Sequence, residues 1–280
     1  MNERTATRDT GRDRTLGGTV RVVTALAASC LLLTGCDAAV GIPGDETTAA
    51  PRPSGTATTP GPAAVPEPGS PVAAGAAVAR WAADLRGRGT AGLAADCWAM
   101  APDRIESEYA EPGPILEALT RDPVDHGDTT RWTSATVTLV VTDADTVDGY
   151  ACPYVFPAGA AVEFTEADAI HTVRRFLARM IGDPVHTGDV ENAYPLVCST
   201  DTATWDPYGT GRPGIAPMAA AASKLPGIKK FADRSIRAEW PRDGYLTVTA
   251  GVTSTAGVAK KQTFTLKSGN QGYCIGDVSG

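Results

Sequence analysis

The sequence predicts an α+β protein in which helices pack on curved antiparallel sheets, arranged as two related units. In each half, stretches with helical periodicity are followed by segments that alternate apolar and polar residues, as strands do. Each half also holds two cysteines, one in its helical part and one in its last strand. The folded part is expected to run from about Val78 to Val278, with units at 76–158 and 164–280.

The first unit opens with a helix whose apolar residues share one face. Val78, Trp81, Ala82 and Leu85 recur at helical spacing, and the chain is rich in alanine around them. The segment 142–149 is rich in turn-forming residues and predicts a connection between two strands. The predicted elements are helices at 76–88, 90–100 and 113–122, then strands at 133–141 and 150–156.

The second unit contains the clearest helix of the chain, at 165–181. Thr165 and Asp168 form a start that resembles a capping box, and Gly182 ends the helix. Its predicted apolar stripe consists of Ala169, Val173, Phe176, Leu177 and Met180. The other predicted elements are helices at 189–199 and 215–225 and strands at 234–240, 245–253, 260–268 and 272–278.

Four cysteines of the folded part form an even set, which favours two disulfides in an oxidising compartment. The order of elements favours Cys97 with Cys152 and Cys198 with Cys274. Each bridge would close a long loop and contribute about 3–5 kcal/mol in the chain-entropy model. One mixed domain with crossed bridges is the alternative.

The N-terminal region has the layout of a bacterial export signal. Arginines precede an apolar stretch at 20–33, which is too short to span a membrane. Leu33, which ends this stretch, and the three residues after it form Leu33-Thr34-Gly35-Cys36, which resembles the lipobox of bacterial lipoproteins. The lysine-poor composition resembles that of actinobacterial proteins. The resemblance implies that residues 1–35 are a signal peptide, removed before Cys36, and that Cys36 carries a diacylglyceryl anchor.

The composition of residues 36–75 predicts a disordered spacer after the anchor. Pro, Ala, Gly, Thr and Ser dominate there, so the segment cannot bury enough apolar surface to offset the entropy of ordering. The chain as a whole has a net charge of −7, which disfavours nucleic acid as a partner. No cofactor is predicted.

Helices followed by an antiparallel sheet resemble the NTF2-like fold, also described as cystatin-like α+β. The resemblance covers 164–280 best and rests on element order rather than on a motif, while the first unit is short for this fold. It implies a cone between the sheet and the long helix. Some members of the fold are isomerases or hydrolases, so a buried carboxylate or histidine in the cone would indicate an enzyme.

The sequence predicts no catalytic residue and no metal ligand. His171 falls off the apolar stripe and is expected to be solvated, Asp168 to be a helix-start acid, and His126 and His186 to lie in turns. Asp143, Asp145 and Asp148 superficially resemble a calcium loop, but the later ligand positions do not match, so a solvated turn is expected.

Aromatic side chains supply the candidates for a contact surface. Trp205 and Tyr208 lie in a long turn-rich loop, and Trp98 and Trp132 are further large aromatic residues. Trp and Tyr on a loop can anchor a partner because they offer rigid area with a polar tip. Alternatively, Trp205 folds back onto the core of its own domain.

These observations predict a non-catalytic lipoprotein that is anchored at the outer face of the bacterial cytoplasmic membrane and binds a partner protein or envelope component. The first alternative is a carrier of a small apolar molecule in the cone. The second, less favoured, is an isomerase or hydrolase that uses the same cone.

Overall fold

Helix α1 (Pro71–Arg88) is the first element of the computed structural model, which describes residues 69–200, 203–221, 227–242 and 244–280. The Ser70 hydroxyl accepts a hydrogen bond from the Ala73 amide, and Pro71 takes the first helical position, where it costs no backbone bond. The helix thus begins before residue 76, within the segment assigned to the spacer. The signal peptide, the lipobox and Cys36 lie outside the described residues.

The first half continues with two short helices and a four-stranded antiparallel sheet. The elements are α2 (Pro102–Glu108), α3 (Pro112–Ala118), β1 (Val124–Asp125), β2 (Thr129–Thr133), β3 (Val137–Thr142) and β4 (Tyr154–Pro157). The strand order is β1-β2-β3-β4. Trp81 of α1 is fully buried beside Tyr109, with ring centroids 4.8 Å apart.

Several predicted bounds in this half are wrong. Residues 90–100 form one 3₁₀ turn (Thr90–Gly92) and further turns instead of an α-helix, and α2 was not predicted. Pro102 starts α2 because proline suits the first turn of a helix. Cys152 lies just before β4 rather than on a strand.

The second half consists of α4 (Glu166–Met180), the short α5 (Pro217–Ala220) and a second antiparallel sheet in the order β5-β6-β7-β8. The strands are β5 (Ile228–Arg242), β6 (Tyr245–Ser254), β7 (Ala259–Gly269) and β8 (Gly272–Ser279). The predicted helix at 189–199 is instead a turn at 191–194 followed by irregular chain, in which Val197 forms an isolated bridge with Ile275 of β8. Of the helix predicted at 215–225, only α5 is helical among the described residues, and 222–226 lie outside them.

The apolar face of α4 packs on the second sheet. Val173 and Leu177 are fully buried, and the Phe176 ring meets Phe264 of β7 edge-on at 6.1 Å. The facing side chains of the sheet, Leu246, Val248, Leu266 and Ile275, are also inaccessible to solvent. The space between this face and the sheet is therefore filled by the protein's own side chains. Met180, predicted for the stripe, is instead 38% exposed.

The described residues of both halves fall within one compact unit. Cys97 is bonded to Cys152 and Cys198 to Cys274, which are the two pairings that the order of elements favours. The fold class is α+β, as predicted, with few helices and two four-stranded antiparallel sheets.

Candidate functional site

A cavity of about 440 Å³ lies where the two halves of the unit meet. Its walls come from α4, from the turn after β3, from residues 194–199 and from the hairpin between β7 and β8. Five aromatic side chains line it: Tyr154, Phe164, Tyr194, Trp205 and Tyr273. The volume is in the range of small-molecule sites.

Helix α4 presents a polar face to this region. Asp168, His171, Thr172 and Arg175 line the cavity, and all four are buried. The start of the helix is fixed by the predicted capping box, in which Thr165 Oγ1 accepts from the Asp168 amide and Asp168 Oδ2 accepts from the Thr165 amide at 2.7 Å. The box therefore positions Asp168 at the cavity as well as capping the helix.

Arg104 of α2 joins the first half to this polar face. Its guanidinium donates to Glu108 and to Asp168, and it lies 4.8 Å from the centre of the Tyr154 ring. Glu108 also accepts from the Val155 amide at 2.8 Å. One cation is thus shared by the buried Asp168 and the partly buried Glu108. Burial raises the pKa of Glu108 to about 7, and Arg104 opposes part of this rise.

A second buried cluster lies farther along α4. Arg175 donates to Asp189 at 2.7 Å, and Arg179 donates to Asp189 and to Glu191. Asp189 is 1% exposed. Burial acts to raise its pKa, but hydrogen bonds from Arg175 and Arg179 outweigh burial and hold the pKa below its ordinary value. The Arg175 guanidinium also lies 5.0 Å from the centre of the Trp98 ring.

The expectation that His171 is solvated is wrong. The side chain is 6% exposed, and Nε2 donates to the Trp98 carbonyl at 2.8 Å while Nδ1 accepts from Arg174 at 3.4 Å. Burial is the main reason that its pKa is lowered to about 4, and Arg175 and Arg174 add to it. Both ring nitrogens are engaged in hydrogen bonds, and the lowered pKa favours the neutral ring at pH 7.

The turn after β3 is not fully solvated either. Asp145 Oδ2 accepts from the Thr142 amide at 3.0 Å and from the Thr142 hydroxyl at 2.7 Å. Burial raises the pKa of Asp145, although the Thr142 hydrogen bonds and Arg175 oppose the rise. Asp148 is exposed and Asp143 half-buried. No group of three His, Cys, Asp or Glu in the described residues could hold a metal ion.

The loop at 203–214 separates its two aromatic residues. Trp205 folds back: its ring lies over Gly276, where any side chain would collide with it, and meets Tyr245 edge-on at 5.3 Å. Tyr208 is 87% exposed. Asp206 accepts from the Thr210 and Gly211 amides at 2.8 and 2.9 Å and so closes the loop. The loop holds Trp205 at the cavity and Tyr208 in solvent.

The other candidates have structural surroundings. Trp132 is buried in the first half, and Trp98 stacks on His186 at 4.9 Å. His186 accepts from the Gly188 amide at 3.1 Å within its turn, and His126 is exposed. Cys198 and Cys274 line the cavity, so their disulfide ties its wall to β8.

Sequence reasoning missed Arg104, Glu108, Tyr154 and Asp189, and it assigned Asp145 to a solvated turn. One signal was available on α4, where polar residues recur at positions 168, 171, 172, 175 and 179. That spacing places them on one helix face. A polar face is usually solvated, but this one is covered by Arg104 and Trp98 of the first half and by Asp189 of the second.

No family model matches the chain, and no curated protein or solved structure is significantly similar to it. Among the residues that the structure describes, no helix is long and apolar enough to cross a membrane.

Proposed function

We propose that the chain is a lipoprotein held at the outer face of the bacterial cytoplasmic membrane, where it binds a partner without catalysis. The observation that carries this proposal is the succession of an arginine-bearing stretch, an apolar stretch, Leu33-Thr34-Gly35-Cys36 and a proline-rich segment. Two disulfides support an oxidising location. A diacyl anchor contributes about 0.8 kcal/mol for each buried methylene, enough for stable attachment.

We infer further that residues 164–280 form an NTF2-like domain, preceded at 76–158 by a smaller related unit. The packing of α4 across β5, β6 and β8 supports this inference. The filled space beneath α4 disfavours carriage of an apolar molecule there. The engagement of both His171 nitrogens favours binding over isomerase or hydrolase chemistry.

The contact with a partner protein is assigned to Tyr208. Its ring is the most exposed of the large apolar and aromatic side chains described, and the Asp206 hydrogen bonds fix the loop that carries it. A fixed loop loses little conformational entropy when it binds, so an exposed tyrosine on it can contribute strongly to an interface.

The anchor is tested by replacing Cys36 with serine, and Cys30→Ser is the matched control within the apolar stretch. Wild type and the Cys30 variant are expected to begin at Cys36, to carry a diacylglyceryl group and to fractionate with membranes. The Cys36 variant is expected to lack lipid and to retain residues 1–35. Intact mass spectrometry that finds residues 1–35 attached and the Cys36 sulfur unmodified in the wild type would contradict the anchor.

The contact is tested by cross-linking in the native envelope. Tyr208→Ala should abolish the main cross-linked product. Val258→Ala, which alters another exposed apolar side chain, should retain it. Identical cross-linked products from the wild type and both variants would show that Tyr208 is not part of the interface.

A further inference from the structure

The lysines of the chain are confined to its C-terminal part. All six lie within residues 224–267, whereas residues 1–223 contain arginine but no lysine. Residues 227–280 carry eight basic and four acidic side chains, a charge of +4, so residues 1–226 carry −11. The second sheet is therefore a basic region on an acidic protein.

Four of these lysines meet at one end of the second sheet. Lys229 and Lys230 lie at the start of β5, and Lys260 and Lys261 lie at the start of β7. Strand β6 ends between them, because it pairs antiparallel with both β5 and β7. We call these four lysines, together with the turn at 255–258 that joins β6 to β7, the lysine tip.

The charges of the lysine tip are not neutralised by acids of the described residues. Lys260 is half-buried and donates to the Gly280 carbonyl at 3.1 Å, and the other three lysines are exposed. Every ion pair that the described residues form uses an arginine. Asp233, the acid nearest in sequence on β5, is paired with Arg174. The tip therefore offers its positive charge to a partner outside the protein.

The lysine tip also exposes apolar surface. Val258, in the turn between β6 and β7, is 60% exposed. A shallow groove of about 550 Å³ at the same end of the sheet is lined by Phe231 and by Lys230, Lys260 and Lys261. Apolar side chains next to unpaired lysines suit the headgroup region of a membrane, where cations meet phosphates and apolar groups reach the acyl boundary. A soluble acidic polymer would use the charges but leave this apolar surface in water.

We propose that the lysine tip binds the anionic phospholipid headgroups of the membrane at which the chain is anchored. The inference rests on the proposed function for its choice of partner, and it adds a second contact that holds this end of the sheet toward the membrane. Each lysine near an anionic membrane surface contributes about fivefold in affinity. Four of them outweigh the acidic remainder of the chain, because salt screens charges beyond about 10 Å.

The test measures vesicle binding without the lipid anchor, on the mature chain 36–280 with Cys36→Ser and both disulfides intact. Sedimentation compares vesicles of equal parts phosphatidylglycerol and phosphatidylcholine with vesicles of phosphatidylcholine alone. We expect at least about tenfold tighter binding to the anionic vesicles. This preference should vanish in salt on the order of 1 M, where the Debye length falls to about 3 Å. Equal binding to both vesicles, or tighter binding to soluble polyglutamate of the same total charge, would overturn the proposal.

The double variant Lys230→Gln/Lys261→Gln assigns the binding to the lysine tip. Arg121→Gln/Arg212→Gln is the matched control, because it removes two exposed positive charges elsewhere in the chain. We expect the lysine variant to lose about 25-fold in affinity for the anionic vesicles and the arginine variant less than about threefold, with unchanged melting temperatures. Equal losses would show that net charge governs binding and would overturn the proposal.

The result is independent of the test of the anchor. Mass spectrometry reads the lipid on Cys36 in the wild type, whereas vesicle binding is read on a chain that cannot carry it. A wild type without lipid, together with vesicle binding by the mature chain, would remove the anchor and support the lysine tip. A lipidated wild type whose unlipidated form ignores anionic vesicles would keep the anchor and overturn the lysine tip.

Discussion

The two faces of helix α4 are both buried, but they are buried by different interactions. Val173, Phe176 and Leu177 pack on the second sheet and exclude water through apolar contact. On the other face, Asp168 and Arg175 form ion pairs with Arg104 and Asp189. Apolar contact tolerates shifts of a few tenths of an ångström, whereas a buried ion pair requires every partner in place. The polar face therefore makes the more specific of the two contacts. It borders the cavity, and through Arg104 it joins the first half to the second.

The largest effect is expected for Asp189→Asn on the polar face. The variant leaves the buried guanidinium of Arg175 and the partly buried guanidinium of Arg179 without their shared carboxylate. We expect a loss of about 3–5 kcal/mol in the free energy of unfolding, measured by urea titration. Asp84→Asn, in the exposed pair with Arg88, is the matched control and should change little. Equal small losses in both variants would show that the polar face is solvated in solution.

On the apolar face, Leu177→Ala should cost about 3 kcal/mol, because it removes a fully buried side chain and leaves a cavity. Met180→Ala, which alters an exposed side chain of the same helix, is the control and should cost much less. Urea titration of both variants tests which residues of α4 face the sheet. If Met180→Ala cost as much as Leu177→Ala, the sequence-predicted stripe would be right and the packing described here wrong.

A pH titration distinguishes the two faces further. The pKa of His171 is lowered to about 4 in the folded state from about 6.5 when unfolded, so the unfolded state binds more protons between these values. The contribution of His171 to the free energy of unfolding is fully present above pH 6.5 and is lost as the pH falls toward 4. Relative to His171→Gln, the wild type should lose about 2 kcal/mol between about pH 7 and 5.

Glu108 acts in the opposite direction. Its pKa is raised to about 7, so its contribution to the free energy of unfolding falls as the pH rises from the ordinary pKa of a glutamate toward 7. The wild-type profile alone therefore mixes the two groups. The difference between the wild-type and His171→Gln curves isolates the histidine, and His126→Gln, an exposed histidine, serves as control. A flat difference curve would mean that His171 is solvated.

The smallest effect is expected at the start of the helix, which both faces share. Thr165→Ala removes the cap on the Asp168 amide and a donor to Asp168 Oδ2, and should cost about 1 kcal/mol. Thr165→Ser retains the hydroxyl and should cost less. Thermal unfolding of the two variants measures the difference, and equal melting temperatures would exclude a role for the hydroxyl.

Local patterns predicted what depends on local interactions. The apolar periodicity of α1 and α4, the Thr165–Asp168 start and the alternation of β6–β8 follow from backbone geometry and nearest neighbours, and the structure confirms them. The helices predicted at 90–100 and 189–199 were wrong, because alanine content and short apolar runs do not outweigh the turns that place Trp98 and Asp189 against α4.

The candidate site was much less predictable. Arg104 and Asp168 are 64 residues apart in sequence, so no local pattern indicates that they meet. Asp145 was interpreted as part of a solvated turn, since the sequence shows its turn residues but not the wall that covers them. Periodicity identified which residues share a face of α4. It could not identify what lies opposite that face.

The central claim is that Arg104 and Asp168 form a buried ion pair between the first half and the polar face of α4. A double-mutant cycle with Arg104→Met, Asp168→Asn and the double variant, followed by urea unfolding, measures their coupling directly. The account predicts that each single variant is strongly destabilised and that the double variant recovers about 2 kcal/mol or more of the summed loss. Losses that add to within about 0.5 kcal/mol would contradict it.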